Sequence, residues 1–221
     1  MKTLRALLLM PGAFADRAIA AARAQGVTLQ PAAVDSRDAL LAACSQPLDI
    51  LISFGTSVIV PEAVLNLSAM TPINVHAASP EYPGRDPHHF AVFDGVVTYG
   101  ATMHVMTRHV DAGPTVDVES FAVGPSWRPV DLLRRANDAG FVLLDRLFAS
   151  IAANGRPPLP NGRPWGAHRR ARRDFLELCR LTTGMSAGEV ERRIRAVEMS
   201  GYRNAYLELH GHRFRIEGGD Q

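Results

Sequence analysis

Short runs that are apolar at almost every position constrain this chain more than any other feature. A strand that faced water on one side would alternate polar and apolar residues; a run without alternation has to be covered on both faces. Residues 4–10 (Leu-Arg-Ala-Leu-Leu-Leu-Met) and 48–54 (Leu-Asp-Ile-Leu-Ile-Ser-Phe) read that way. Between them Pro11-Gly12 turns the chain, and residues 14–25 form an alanine-rich helix that Gly26 stops. Residues 27–34 give a weaker strand, and Asp35-Ser36 can cap a helix running to Ser45, closed by Pro47.

Further on, residues 61–67 suggest a short helix, 73–76 a strand and 86–94 a helix. Residues 96–106 and 114–123 are β-rich, with Asp111-Ala112-Gly113 as the turn between them. Residues 129–151 carry apolar side chains at helical spacing and give the strongest helix. Strands alternating with helices predict an α/β fold: a doubly wound, mostly parallel Rossmann-like sheet. The Pro/Gly-rich stretch 154–166 marks the end of the main unit, placing one domain at 1–155 and an extension at 156–221. That extension holds a basic run, 168–173, then a helix over 186–197 and a hairpin over 205–216 turning at His210-Gly211. The run is expected to be a solvated helix face.

Of 221 residues 47% are apolar, enough for a core, and the net charge is only +2, which argues against a nucleic-acid or anionic-membrane binder. Cys44 and Cys179 stand far apart, giving no disulfide framework or zinc knuckle. No apolar stretch approaches the ~18–20 residues of a membrane span, and the first apolar run breaks at Pro11 too soon for a signal peptide. A cytoplasmic protein is the expectation.

Asn74 and His76 are two apart on a strand, so both point to the same face, near its carboxyl end, where open α/β sheets bind ligands. Such a pair needs partners or a cleft. Downstream stand Pro83-Gly84, then Gly100-Ala101-Thr102-Met103-His104, then Asp111-Ala112-Gly113-Pro114. The series N-x-H, P-G, G-x-T-x-H, D-x-G-P resembles the folate-dependent formyltransferase family, over about residues 48–123. That family includes glycinamide ribonucleotide transformylase, methionyl-tRNA formyltransferase and the sugar-nucleotide N-formyltransferases.

The resemblance implies that Asn74, His76 and Asp111 are catalytic. Asn74 would donate its amide N–H to the formyl oxygen, His76 would stabilise the oxyanion, and Asp111 would orient His76 and help take the amine's proton. It implies 10-formyltetrahydrofolate as formyl donor, its pterin held by Phe54, Gly55, Thr56 and Ile59 on one side and His109, Val110 and Gly113 on the other. Ser79, Arg85, Asp86, His88 and His104 are candidate contacts to the acceptor, with His104 alternatively buttressing Asp111. The run 77–84 is one residue shorter than the family's, so Ser79 matches the family serine only by position and Asp111 only by its D-x-G-P context.

The acceptor expected is a primary amine of a small molecule, such as an amino sugar on a nucleotide. The segment 10–14 (Met-Pro-Gly-Ala-Phe) makes a poor phosphate cradle, so a phosphorylated ribose is not expected, and no G-x-G-x-x-G supports a nicotinamide enzyme. About 55 residues follow Gly166, too few for the barrel that helps hold tRNA, so tRNA is not expected. His88, His89, His104 and His109 match no compact zinc motif, and no metal is expected. The extension could shape the acceptor site or form a homodimer contact. A 10-formyltetrahydrofolate hydrolase and a non-catalytic folate-binding module are the competing readings.

Overall fold

The computed structural model describes residues 2–34, 40, 47–199 and 201–215. A six-stranded sheet runs in the order β2-β1-β3-β4-β5-β6. Its strands are β1 (Lys2–Leu9), β2 (Val27–Val34), β3 (Ile50–Phe54), β4 (Ile73–His76), β5 (Thr98–Val105) and β6 (Thr115–Ala122). β1 pairs in parallel with β2 and β3, and β3 with β4; β4–β5 and β5–β6 are antiparallel, so within this sheet β5 alone is reversed. Chain order leaves the centre in both directions from β1, as a doubly wound sheet requires. The predicted helix over 35–45, with Cys44, lies outside the described residues apart from Leu40, whose side chain is buried.

The unalternating strands bury both faces, as their composition demands. Leu4, Ala6 and Leu8 point one way, against α1 (Gly12–Ala24) and the 26-residue α4 (Pro129–Asn154). Ala15, Ala18 and Ala22 keep α1 close to the sheet, while Leu143, Leu144, Leu147, Phe148 and Ile151 supply the apolar stripe of α4. Leu7, Leu9 and Leu51 point the other way, against Leu40 and the short α2 (Glu62–Leu65) with Val60, Val64 and Leu65.

On that second face the side chains turn polar across the sheet. Leu9, Ser53, Asn74, His104 and Thr115 are successive cross-strand partners from β1 to β6. The apolar cover of Leu40 and α2 meets the leucines; over β4 and β5 the cover is made of loops. The two-residue period does the rest: Ile73 and Val75 enter the core while Asn74 and His76 stay part-exposed.

The extension is richer than sequence suggested. Besides α6 (Ala187–Val197), capped by Ser186, and the hairpin β8 (Tyr206–Leu209) and β9 (His212–Arg215), it has α5 (Arg172–Cys179) and β7 (Arg180–Leu181), which pairs in parallel with β8. Phe175, Leu178, Cys179, Leu181, Ala196 and Val197 form a cluster with Phe90 of α3 (Pro87–Asp94). His89 donates from Nδ1 to the Ala196 carbonyl at 2.7 Å, tying α3 to α6. The basic run is solvent-exposed apart from the half-buried Arg170, as expected, but only Arg172 and Arg173 of it lie in a helix. Arg170 stacks its guanidinium 4.5 Å from the Phe90 ring centre, and α5 begins only at Arg172.

A fully buried stripe on α4 makes a direct prediction. Leu147→Ala should lower the unfolding free energy by ~2–5 kcal/mol in a urea titration, because Leu147 is sealed in the main core. A change below about 0.5 kcal/mol, as at an exposed site, would contradict this packing.

Candidate active site

Asn74 and His104 face each other across β4 and β5, and their polar atoms meet: Asn74 Nδ2 lies 2.9 Å from His104 Nε2. His104 Nδ1 lies 2.9 Å from the Val105 carbonyl oxygen, which can only accept, so Nδ1 carries a proton. An amide nitrogen can only donate, so Nε2 of the neutral ring accepts from Asn74. One amide hydrogen of Asn74 is thereby held, and its second is left to serve another acceptor. The same reasoning applies to His76: Nε2 lies 3.0 Å from the Tyr82 carbonyl oxygen and must donate to it. His76 Nδ1 is then the nitrogen that faces Asp111 Oδ2, at 3.7 Å.

Asp111 arrives from the β5–β6 loop and closes the group. Its backbone is left-handed, φ 46°, an unusual conformation for a non-glycine residue that aspartate tolerates better than most. Its Oδ2 accepts the Gly84 N–H at 3.0 Å and its Oδ1 lies 3.5 Å from His104 Nε2. Burial alone would push this carboxyl up. The attraction of the His76 ring when it is protonated, the contact with His104 and the Gly84 N–H outweigh it, holding Asp111 at about 2.

Two glycines of the motifs have steric reasons. A Cβ on Gly84 (φ 99°) would sit 2.3 Å from the Arg170 carbonyl oxygen, and one on Gly113 would sit 1.8 Å from that of Val105. Those close approaches bring the Gly84 amide and the Asp111 loop into the site.

Segment 161–170, with no regular secondary structure beyond an isolated bridge from Arg170 to Gly84, straps the two motif loops together. Asn161 N donates to Thr115 O at 2.9 Å, Gly166 N to Pro80 O at 2.8 Å, Arg170 N to Pro83 O at 3.0 Å, and Arg85 N to Arg170 O at 2.9 Å. Trp165 stands edge-on to both imidazoles, 5.0 Å from the His104 ring centre and 6.0 Å from that of His76. Sequence reading missed Trp165, the Tyr82 carbonyl and the Gly84 N–H. A tryptophan inside a Pro/Gly-rich stretch was the available signal, since so large an apolar ring seeks cover.

The other candidates scatter. The Phe54 ring is fully buried against Phe14 and Phe141, so only its backbone is left to line a pocket. Gly55 and Thr56 follow it in a loop where Thr56 Oγ1 accepts the Val58 N–H. Ile59 is 68% and Val110 49% exposed, both unusually open for their types, and His109 is exposed beside Arg108. Ser79 is buried. Arg85 is exposed, and Asp86, with φ 55°, precedes α3 instead of starting it. His88 Nδ1 lies 3.2 Å from the Tyr99 hydroxyl oxygen, and burial, with His76 and His89 nearby, pushes it down to about 3, so it stays neutral. Among the described residues no group of three or more His, Cys, Asp or Glu could hold a metal ion, and no helix is long and apolar enough to cross a membrane.

A cavity of about 300 Å³ opens on Asp111, lined by Pro83, Ala112, Trp165, Gly166, Ala167 and Arg169. A larger one, about 390 Å³ between residues 69–71 and 155–160, contains none of the clustered polar groups and is remote from their chemistry.

The buried carboxylate predicts a pH effect with a definite sign. Because the folded value lies below the ordinary 3.8, Asp111 adds stability above about pH 4, which is lost as pH falls towards 2. The stability gap between wild type and Asp111→Asn should shrink by roughly 2 kcal/mol over that window. A gap independent of pH would contradict the coupling.

The sequence and the fold are similar to those of known proteins. The formyl transferase family pattern matches residues 15–146. Methionyl-tRNA formyltransferase of Staphylococcus epidermidis is 31% identical over 125 residues, covering 52% of this chain and 40% of that protein. The enzyme of the same name from Natranaerobius thermophilus is 27% identical over 171 residues, 76% of this chain and 53% of its own. The chain thus spans about half the length of the curated relatives it matches. A sugar N-formyltransferase from Shewanella sp. superposes with a TM-score of 0.75 at 16% identity, covering 100% and 98% of the two chains. The Helicobacter canadensis N-formyltransferase, solved with folinic acid and dTDP-3-aminofucose, gives 0.67 at 15%, covering 95% and 86%. These structures speak to the fold alone; the family match, extending over more than half of the sequence, shows that the chain belongs to the folate-dependent formyl transferases.

Proposed function

We propose that this chain transfers the formyl group of 10-formyltetrahydrofolate to a primary amine of a small molecule, an amino sugar on a nucleotide carrier being the class that fits best. The observation that carries this reading is the convergence of Asn74, His76, His104 and Asp111, with polar atoms 2.9 to 3.7 Å apart, beside a cavity that Asp111 lines. Formyl transfer to an amine needs donors for the charge that develops on the formyl oxygen and an acceptor for the amine's proton.

The free amide hydrogen of Asn74 is one such donor. The Nε2–H of His76, resting on the Tyr82 carbonyl, is the second, and a ring that swings that bond to the formyl oxygen keeps Nδ1 towards Asp111. Asp111, held ionised, compensates any positive charge that His76 acquires and is the base nearest the cavity. The bond from formyl carbon to the acceptor nitrogen forms, the bond to the carrier nitrogen breaks, and the proton lost by the amine passes by way of Asp111 and His76 to the departing nitrogen. The carrier supplies an activated one-carbon unit. The exposed Ile59 and Val110, on the loops after β3 and β5, are the apolar surfaces offered to a flat heterocycle, with loop backbone for its donors and acceptors.

The acceptor class is supported by fold neighbours that act on amino sugars, the sugar N-formyltransferase from Shewanella sp. among them. A net charge of +2 also favours a small acceptor over tRNA.

Tetrahydrofolate release should therefore depend on an added amine. His76→Ala should reduce it by about 100-fold or more while leaving affinity for a folate analogue nearly intact. Near-normal turnover in that variant would remove His76 from the mechanism. Equal formate release with and without amines would instead make the protein a hydrolase of the donor.

A further inference from the structure

The strap over the site lies outside the residues the family pattern matches, yet its one aromatic side chain touches the reacting group. We propose that Trp165 is a positioning residue for formyl transfer, its indole locking the Asp111 loop and the rings of His76 and His104 into one fixed arrangement. This inference rests on the formyl-transfer reading.

Three observations carry it. First, the indole N–H donates to the Gly113 carbonyl at 2.7 Å, two residues beyond Asp111, in a loop whose Asp111 is left-handed. A loop in that conformation is held by its surroundings, and this bond together with Val105 N to Pro114 O at 2.9 Å brackets it. Arg169, four residues further along the strap, donates from Nη2 to the carbonyl oxygen of Asp111 itself at 3.5 Å.

Second, the ring stands near-perpendicular to the imidazole of His104, at 84°, and at 64° to that of His76. His76 has a single strong hydrogen bond, to Tyr82 O, and its Nδ1 sits 3.7 Å from Asp111, beyond hydrogen-bonding distance. Nothing in that pair of contacts stops the imidazole turning over, which would put Cε1 at the Tyr82 carbonyl and Cδ2 at Asp111 and release the bond that fixes the proton on Nε2. Edge-to-face packing against a fixed indole does.

Third, the strap is anchored on both sides of the ring. Thr115 Oγ1 donates to Arg163 O at 2.5 Å, and Gly166 N donates to Pro80 O at 2.8 Å, with no room for a Cβ on Gly166 against the Glu81 carbonyl oxygen. The indole is thus clamped between the loop that follows β4 and the loop that precedes β6. Those are the two stretches whose approach creates the site.

The test uses full-length protein and two readouts. Turnover is followed with 10-formyltetrahydrofolate and a dTDP-linked amino sugar, for wild type, Trp165→Ala and Trp165→Phe. Trp165→Ala should lose about 10- to 100-fold in kcat with little change in KM for the folate. Trp165→Phe, which keeps a ring but not the N–H, should recover part of that loss through ring packing, the remainder reporting the lost bond to Gly113. Nitrogen-15 NMR of the imidazoles supplies the readout a merely structural role would not move: wild type and Trp165→Phe should show His76 as one tautomer, protonated on Nε2, and Trp165→Ala a mixture. If Trp165→Ala does not fold, Trp165→Leu, which fills much of the space without an aromatic edge, takes its place. Turnover within roughly twofold of wild type, with His76 still a single tautomer, would overturn the proposal. Absence of formyl transfer in the wild type would sink the reading of function, while the tautomer measurement would still decide the role of Trp165.

Discussion

A carboxylate nine-tenths removed from water has to be surrounded by donors, and much of this fold arranges those donors around Asp111. Its side chain is 6% exposed and its pKa is nevertheless depressed to about 2, which only a ring of positive or N–H-bearing neighbours can achieve. Each neighbour comes from a different element: His76 from the end of β4, His104 from β5, Gly84 from the loop before α3. Removing the carboxylate would leave two imidazoles without the charge they face. Removing either loop would leave a buried anion, which is costlier still.

The sheet explains why that group can exist on an otherwise apolar framework. Cross-strand rows place Leu9, Ser53, Asn74, His104 and Thr115 side by side, and helix cover on that face belongs to the apolar end of the row. Loops, rather than a helix, lie over the polar end, where the cavity beside Asp111 opens. The antiparallel register of β5 on β4 sets His104 directly opposite Asn74. The extension adds stiffness from behind, through His89 bonded to Ala196 and Arg170 stacked on Phe90.

The parts legible in sequence were those with a local cause. Unalternating strands at 4–10 and 48–54 implied a covered sheet, and the two-residue step from Asn74 to His76 put both on one face. The motif glycines and the left-handed Asp111 belong to turns whose chemistry is written in D-x-G-P. What escaped was non-local. Nothing at Trp165 reveals that its partners are residues 76, 104 and 113, because a loop's contacts depend on where the whole chain returns. The basic run is exposed, as its charge implied; what sequence could not show is Phe90, eighty residues away, beneath Arg170. The site also sits further onto the sheet face than the strand-end rule suggested: His76 ends β4, but Asn74 and His104 lie inside the ladder.

What ties the chemistry to the fold is the claim that amide, imidazole and carboxylate surround a single reacting carbonyl. A crystal structure with 5-formyltetrahydrofolate, whose formyl group mimics that of the reactive donor, measures this directly. The account predicts the formyl oxygen within about 3.2 Å of both Asn74 Nδ2 and His76 Nε2, with the heterocycle against Ile59 and Val110. A folate bound elsewhere, or one whose formyl group points away from Asn74 and His76 at full occupancy, would contradict it.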